Sequence, residues 1–239
     1  MLTTIAFDGD DTLWHNERIF AATQARFEDL LRPYAADVDI HDRLFRTEKK
    51  NLALFGYGVK GFTLSMIETA LEITDHRIHG ESIARILQWG REMLAEPVEP
   101  LTDVRETLQA LHGSYHLIVI TKGDLFDQEN KVARSGLADL FNRVEIVSEK
   151  DEATYRDILA RSGTKPEAFV MVGNSLRSDI LPVLSLGARA VHIEYEITWA
   201  HEDAEKPADS SGRFWRLDHI GALPSLIRRI DAMDPMLRS

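Results

Sequence analysis

Asp8-Gly9-Asp10-Asp11-Thr12 places the carboxylates of Asp8 and Asp10 two residues apart directly after the apolar run Leu2 to Phe7. Such a run, short and closed by acids and a glycine, predicts a buried parallel strand with Asp8 at its carboxyl end. Alternate positions of an extended chain share a face, so Asp8 and Asp10 can point into one small volume. Carboxylates that close repel unless a cation or a proton sits between them. Enzymes use that tension to make one acid a nucleophile and the other a proton donor. The plain alternative is an acid-rich turn with no chemistry, and more residues are needed to decide.

They come at the ends of further apolar runs. Leu117 to Ile120 stops at Thr121-Lys122-Gly123, followed by a helical pattern from Leu125 that Gly136 closes. A hydroxyl and free backbone N–H groups at a helix N-terminus can hold an anion, although many strand-to-helix units look alike. Lys150 stands between the strand-like Val144 to Val147 and a helix expected from about Asp151 to Arg161; a lysine there is otherwise a solvated charge. Phe169 to Val172 runs into Gly173-Asn174-Ser175-Leu176-Arg177-Ser178-Asp179. Amide and carboxylate oxygens in that loop are the hard donors Mg²⁺ prefers.

All these groups can meet if their strands lie parallel in one open sheet, because ligands bind outside the carboxyl ends of such strands. The expected fold is therefore α/β, a doubly wound and mostly parallel Rossmann-like sheet. Ala190 to Ile193 and Phe214 to Leu217 predict two more strands, the second at an edge, and Ile220 to Ile230 a closing helix.

Between the acid motif and the second strand lie about a hundred residues, against the dozen or so an ordinary crossover needs. Helical spacing covers Glu17 to Tyr34, Ile40 to Leu54, Phe62 to Ile73 and Gly80 to Leu94. This predicts a four-helix bundle inserted as a domain over 16–96, with the core formed by 1–15 and 97–239. Asp103 with Glu106 has the pattern of a helix N-cap on return to the core. In the insert, Phe55 to Phe62 interleaves glycines and aromatics with Lys60. It reads as a helix-to-helix turn, or as a substrate-facing loop whose Lys60 meets an anion. Trp14 and Asn16, just behind the acids, either line the cleft or pack the hinge.

The ordered set of acid pair, threonine, lysine and glycine-acid loop resembles the haloacid dehalogenase-like hydrolase superfamily, over nearly the whole chain. That resemblance implies Asp8 as nucleophile, Asp10 as general acid/base, and Thr121, Lys122, Gly123 and Lys150 around the transferring phosphoryl group. It implies Mg²⁺ as cofactor, held among Asp8, Asp10, Asn174 and Asp179. Asn174 stands where many members carry an aspartate, so one negative charge is missing and Asp179 becomes the stronger anchor. Dehalogenating members lack an acid two residues after the nucleophile, because a halide leaves without a proton. An alkoxide needs one, and Asp10 can give it. The expected activity is an Mg²⁺-dependent phosphatase acting on small phosphate monoesters through an aspartyl-phosphate. The resemblance also implies that the helical insert is a cap that selects the substrate. A phosphomutase-like phosphotransferase or an idle binding protein on the same fold are the alternatives.

Composition narrows the partners. The chain of 239 residues, 44% of them hydrophobic, can bury a full core. Its 39 acidic residues against 28 basic give a formal charge of −11, which opposes nucleic acid and anionic membranes as partners. A small phosphorylated metabolite must then be bound by local cations. There is no cysteine, which removes thiolate and disulfide chemistry. No apolar run approaches the roughly 20 residues that cross a bilayer. Met1 leads at once into the first strand without a leader pattern, so a cytoplasmic protein is expected. Thr198 to Glu202, with His201 beside acids, reads as a loop near the cleft mouth rather than a metal site.

Overall fold

The computed structural model describes residues 1–35, 37–197, 202, 204 and 212–233. His201 and the rest of its loop, apart from Glu202, lie outside the described residues.

Six strands, β1 (Thr4–Phe7), β2 (His116–Lys122), β3 (Arg143–Val147), β4 (Phe169–Gly173), β5 (Arg189–Ile193) and β6 (Phe214–Leu217), form one sheet in the order β3-β2-β1-β4-β5-β6. Every pairing is parallel. The chain builds outward from β1 to β3, then returns to place β4 on the other side of β1. That reversal is a topological switch point, and it leaves a crevice at the carboxyl end of β1. The register puts Phe7 level with Val119 on one side and Val172 on the other, so Asp8, Thr121 and Gly173 emerge at the same edge.

Nine α-helices lie among the described residues: α1 (Glu17–Leu31), α2 (Ile40–Phe55), α3 (Val59–Ile73), α4 (Gly80–Ala95), α5 (Val104–Leu111), α6 (Leu125–Arg134), α7 (Glu152–Ser162), α8 (Leu181–Ser185) and α9 (Leu223–Met233). One apolar cluster joins Ile5, Phe7, Val119 and Val172 to Val104, Leu108, Leu223 and Ile227 of α5 and α9. A second, from the opposite face, joins Ala6, Ile118, Ile120 and Met171 to Tyr155, Ile158 and Val183 of α7 and α8. Strands covered on both faces explain why their sequences read as continuous apolar runs.

The chain divides into two compact units, residues 1–17, 98–122 and 128–239, and residues 18–97 with 123–127. The second has its own core, where Phe27 and Leu31 of α1, Leu44 of α2, Met66 of α3 and Trp89 of α4 meet. Asp11 starts α1 by accepting from the backbone N–H groups of Asn16 at 2.8 Å and Glu17 at 3.0 Å. Asp103 precedes α5 but makes no side-chain cap bond, contrary to its N-cap pattern; its left-handed φ of 64° points the carboxylate elsewhere, 3.7 Å from His219.

Candidate active site

Asp8 extends β1 by one residue, its N–H donating to the Val172 carbonyl at 2.9 Å. A Cβ at Gly9 would lie 2.8 Å from the Trp14 ring and 3.2 Å from Thr121 Oγ1, so the chain needs glycine between the two acids. Gly173 answers the same need at the end of β4, since a Cβ there would overlap the Asp179 carboxylate. Asp179 belongs to a π-helical turn, Leu176–Ile180, and its Oδ2 accepts from Ser175 N–H at 3.0 Å. Such turns are rare and gather at functional sites.

Lys150 joins the two ends. Its Nζ donates to Asp8 Oδ1, and to Asp179 Oδ1 at 2.8 Å, with all three side chains buried. Thr12 Oγ1 lies 3.2 Å from Asp8 Oδ2 and 3.3 Å from Asn174 Oδ1, which brings the amide oxygen to the same place. Among the described residues Lys150 is the one cation bonded to these acids, so two carboxylates share a single positive charge. Burial, reinforced by Asp179 and opposed by Lys150, pushes Asp8 up to about 7. Burial also works against the charge of Lys150, but Asp179 and Asp8 outweigh it and hold its pKa above the ordinary lysine range.

Asp10 has a shell of its own. Trp14 Nε1 donates to its Oδ1 at 2.7 Å, Gln128 Nε2 to its Oδ2 at 2.9 Å, and Lys131 Nζ to both oxygens at 3.0 Å. Burial pushes its pKa up, yet Lys131, Gln128 and Trp14 outweigh that and hold it below the ordinary aspartate value. Both oxygens are therefore engaged by donors. Trp14 is fully buried with its indole on Asp10, which fits the packing reading of the two the sequence left open. Asn16, the other cleft candidate, accepts from Lys131 at 2.7 Å.

Thr121 is buried, its Oγ1 3.3 Å from Gln128 Oε1, and thus joined through Gln128 to Asp10. Gly123 takes a φ of 142°, suited to glycine, before α6 begins. The Lys122 ammonium turns to the last loop, donating to Ser178 Oγ at 2.9 Å and to the Glu202 carboxylate. Lys60 is not in a loop: α3 starts at Val59, and only Gly56 to Gly58 separate it from α2. Gly56 and Gly58 both have positive φ, so the tight turn itself explains them. Lys60 Nζ lies 2.9 Å from both oxygens of Asp124 and 5.9 Å from the centre of the Phe126 ring.

Four contributors escaped the sequence reading. Gln128 and Lys131 are three apart on α6, a spacing that puts both on one face just past Thr121 and was the available signal. Thr12 was visible only as part of the acid motif. Glu202 was visible only as part of the loop expected near the cleft mouth, and its partners Lys122, Ser175 and Ser178 are set by the fold. Burial raises Glu202, but Lys122 with the Ser175 and Ser178 hydroxyls outweighs it and holds it at about 2. A lowered carboxylate stabilises the fold above its unfolded pKa and loses that contribution as pH falls through the folded one. Glu202→Gln should accordingly cost about 1–3 kcal/mol at pH 7. The deficit should shrink as the pH approaches 2, as thermal unfolding at the two pH values would read.

The family model for haloacid dehalogenase-like hydrolase matches residues 2–187. The chain belongs to this family. Among the haloacid dehalogenase-like hydrolases of known structure, one from Xanthomonas campestris is 42% identical, covers 99% of this chain and 95% of its own, and superposes with a TM-score of 0.88. The glyceraldehyde 3-phosphate phosphatase of Methanothermobacter thermautotrophicus is 28% identical over 215 residues, 85% of this chain and 90% of that protein. The N-acylneuraminate-9-phosphatase of Mus musculus is 26% identical over 135 residues, 54% of this chain and 52% of that protein. No described helix is long and apolar enough to cross a membrane.

Proposed function

We propose that the protein is an Mg²⁺-dependent phosphatase for small phosphate monoesters. The observation that carries this reading is Asp10: an acid two residues after the strand-end Asp8, held by its own set of donors apart from the Asp8–Lys150–Asp179 cluster. Hydrolysis of a phosphate ester needs a nucleophile and a separate proton carrier, and the site keeps the two apart. The names of the two phosphatase relatives support the same substrate class.

The donor set fits a divalent cation. Asp8 and Asp179 share only Lys150, and with Asn174 Oδ1 they offer hard oxygens. These three residues would hold Mg²⁺, with Asp10 leaving its side chain out; the described residues hold no group of three His, Cys, Asp or Glu side chains placed for a metal, so the Asn174 amide is needed to complete the set. When bound, the metal would supply positive charge against the phosphoryl oxygens.

In the first half-reaction an Asp8 carboxylate oxygen attacks phosphorus in line. The new P–O bond gives an aspartyl-phosphate, the ester P–O bond breaks, and Asp10 passes its proton to the departing oxygen. In the second, Asp10 takes a proton from water as that water attacks phosphorus, and inorganic phosphate leaves with Asp8 restored. Lys150, the Thr121 hydroxyl and the backbone N–H groups of Lys122 and Gly123 hold the phosphoryl oxygens. Asp10 rests ionised, ready as the base; a dianionic phosphoryl group arriving beside it raises its affinity for the proton it must carry as the acid. Substrate selection falls to the helical unit as a cap, with Lys60 as its cation.

Release of phosphate from p-nitrophenyl phosphate with Mg²⁺, and its loss on chelation, tests the reading. With phenyl phosphate, whose leaving oxygen needs the proton, Asp10→Asn should lower kcat by about 10²- to 10⁴-fold. Absence of turnover in the wild type, or a wild-type rate in Asp10→Asn, overturns it.

A further inference from the structure

Lys131 is the residue no motif announced, and its geometry is specific. Its side chain is only 16% exposed, and its Nζ is equidistant, at 3.0 Å, from the two oxygens of Asp10. It also donates to Asn16 Oδ1 at 2.7 Å. An ammonium has three protons, and the Asp10 oxygens with Asn16 Oδ1 are among the acceptors that meet them. The group is thus committed to the protein rather than to a phosphoryl oxygen. Asp10 and Asn16 both belong to the segment between β1 and α1, whereas Lys131 stands on α6, one turn beyond Gln128, which grips the same carboxylate. The helix therefore ties down a loop-borne acid from two successive turns, and Trp14 closes the other side.

We infer that Lys131 is a positioning residue for proton transfer: with Asn16 as its second anchor, it fixes the Asp10 carboxylate in the orientation from which the departing oxygen is protonated. The inference rests on the acid/base reading of Asp10. A group misplaced by about 1 Å can lose on the order of 10²-fold in rate. The loss should depend on how badly the leaving oxygen needs its proton, because an acidic phenol departs without help. A lysine that merely holds the fold together would slow every ester alike.

The test is kcat/KM of the Mg²⁺-loaded protein across substituted phenyl phosphates, for wild type, Asp10→Asn, Lys131→Met and the double variant. Lys131→Met should lose about 10- to 100-fold with phenyl phosphate and progressively less toward p-nitrophenyl phosphate. In the Asp10→Asn background the same change should do almost nothing, since its target is gone. An equal loss across the series, or an undiminished loss in the double variant, overturns the inference. If Asp10→Asn is slow and Lys131→Met is not, the inference alone fails. If Asp10→Asn itself is unaffected, the acid/base reading fails and takes the inference with it. Should Lys131→Met not fold, Lys131→Gln, which keeps a donor without the charge, serves in the same comparison.

Discussion

Asp8→Asn should abolish turnover of every phosphate ester while leaving a folded protein. The amide has nearly the volume of the carboxylate, so the packing at the end of β1 survives. The Asp8 N–H bond to Val172 is main chain and is untouched. Lys150 keeps Asp179 as its partner at 2.8 Å, and the repulsion between two buried carboxylates disappears. Thermal stability should hold or rise slightly. Activity should not, because an amide oxygen is too weak a nucleophile to displace an alkoxide from phosphorus. The loss should exceed the roughly 10²- to 10⁴-fold expected of a single general acid. Acid-quenched mixtures with ³²P-labelled substrate would show protein-bound label in the wild type and none in the variant. A variant that keeps a rate near that of Asp10→Asn would mean that water attacks directly and Asp8 only holds charge.

The parts of the site that could be read from the sequence are those tied to strand ends. Asp8, Thr121 and Gly173 each close an apolar run, and parallel register brings closed runs to one edge. Lys150 and Asp179 follow within a few residues of β3 and β4, so the same logic reached them. Side chains that meet through helix rotation could not be reached this way. Lys131 finds Asp10 across 121 residues of sequence, and the meeting depends on which face of α6 the sheet receives. Trp14 illustrates the reverse problem. An aromatic beside an acid motif suggests a cleft wall, yet the Gly9 backbone leaves just enough room for the ring to turn inward. The helical unit was legible as four amphipathic stretches with a common core. Its turn at Gly56 to Gly58 proved shorter than the glycine pattern implied, which moved Lys60 into a helix.

Lys150→Met should cost both stability and catalysis, and the two losses can be separated. The lysine side chain is 2% exposed, and it neutralises Asp8 and Asp179 together. Methionine fills similar space but leaves two carboxylates facing each other without a counter-charge. Removing one partner of a buried ion pair costs about 3–5 kcal/mol, because the charge left behind has lost its solvent and its mate. Unfolding in the presence of a chelator should show a loss of stability of that order, with a lower Tm. Asp179→Asn in the same chain takes away one of the stranded charges and should recover much of the lost stability. It should recover no activity, since the cation proposed to meet the phosphoryl oxygens is still missing and Asp179 is itself a proposed holder of Mg²⁺; removal of one charge-stabilising group costs about 10²- to 10³-fold. If the double variant regains turnover along with its Tm, Lys150 serves the fold alone. If the single variant is as stable as the wild type, the buried pair that organises this site is not the arrangement the chain adopts.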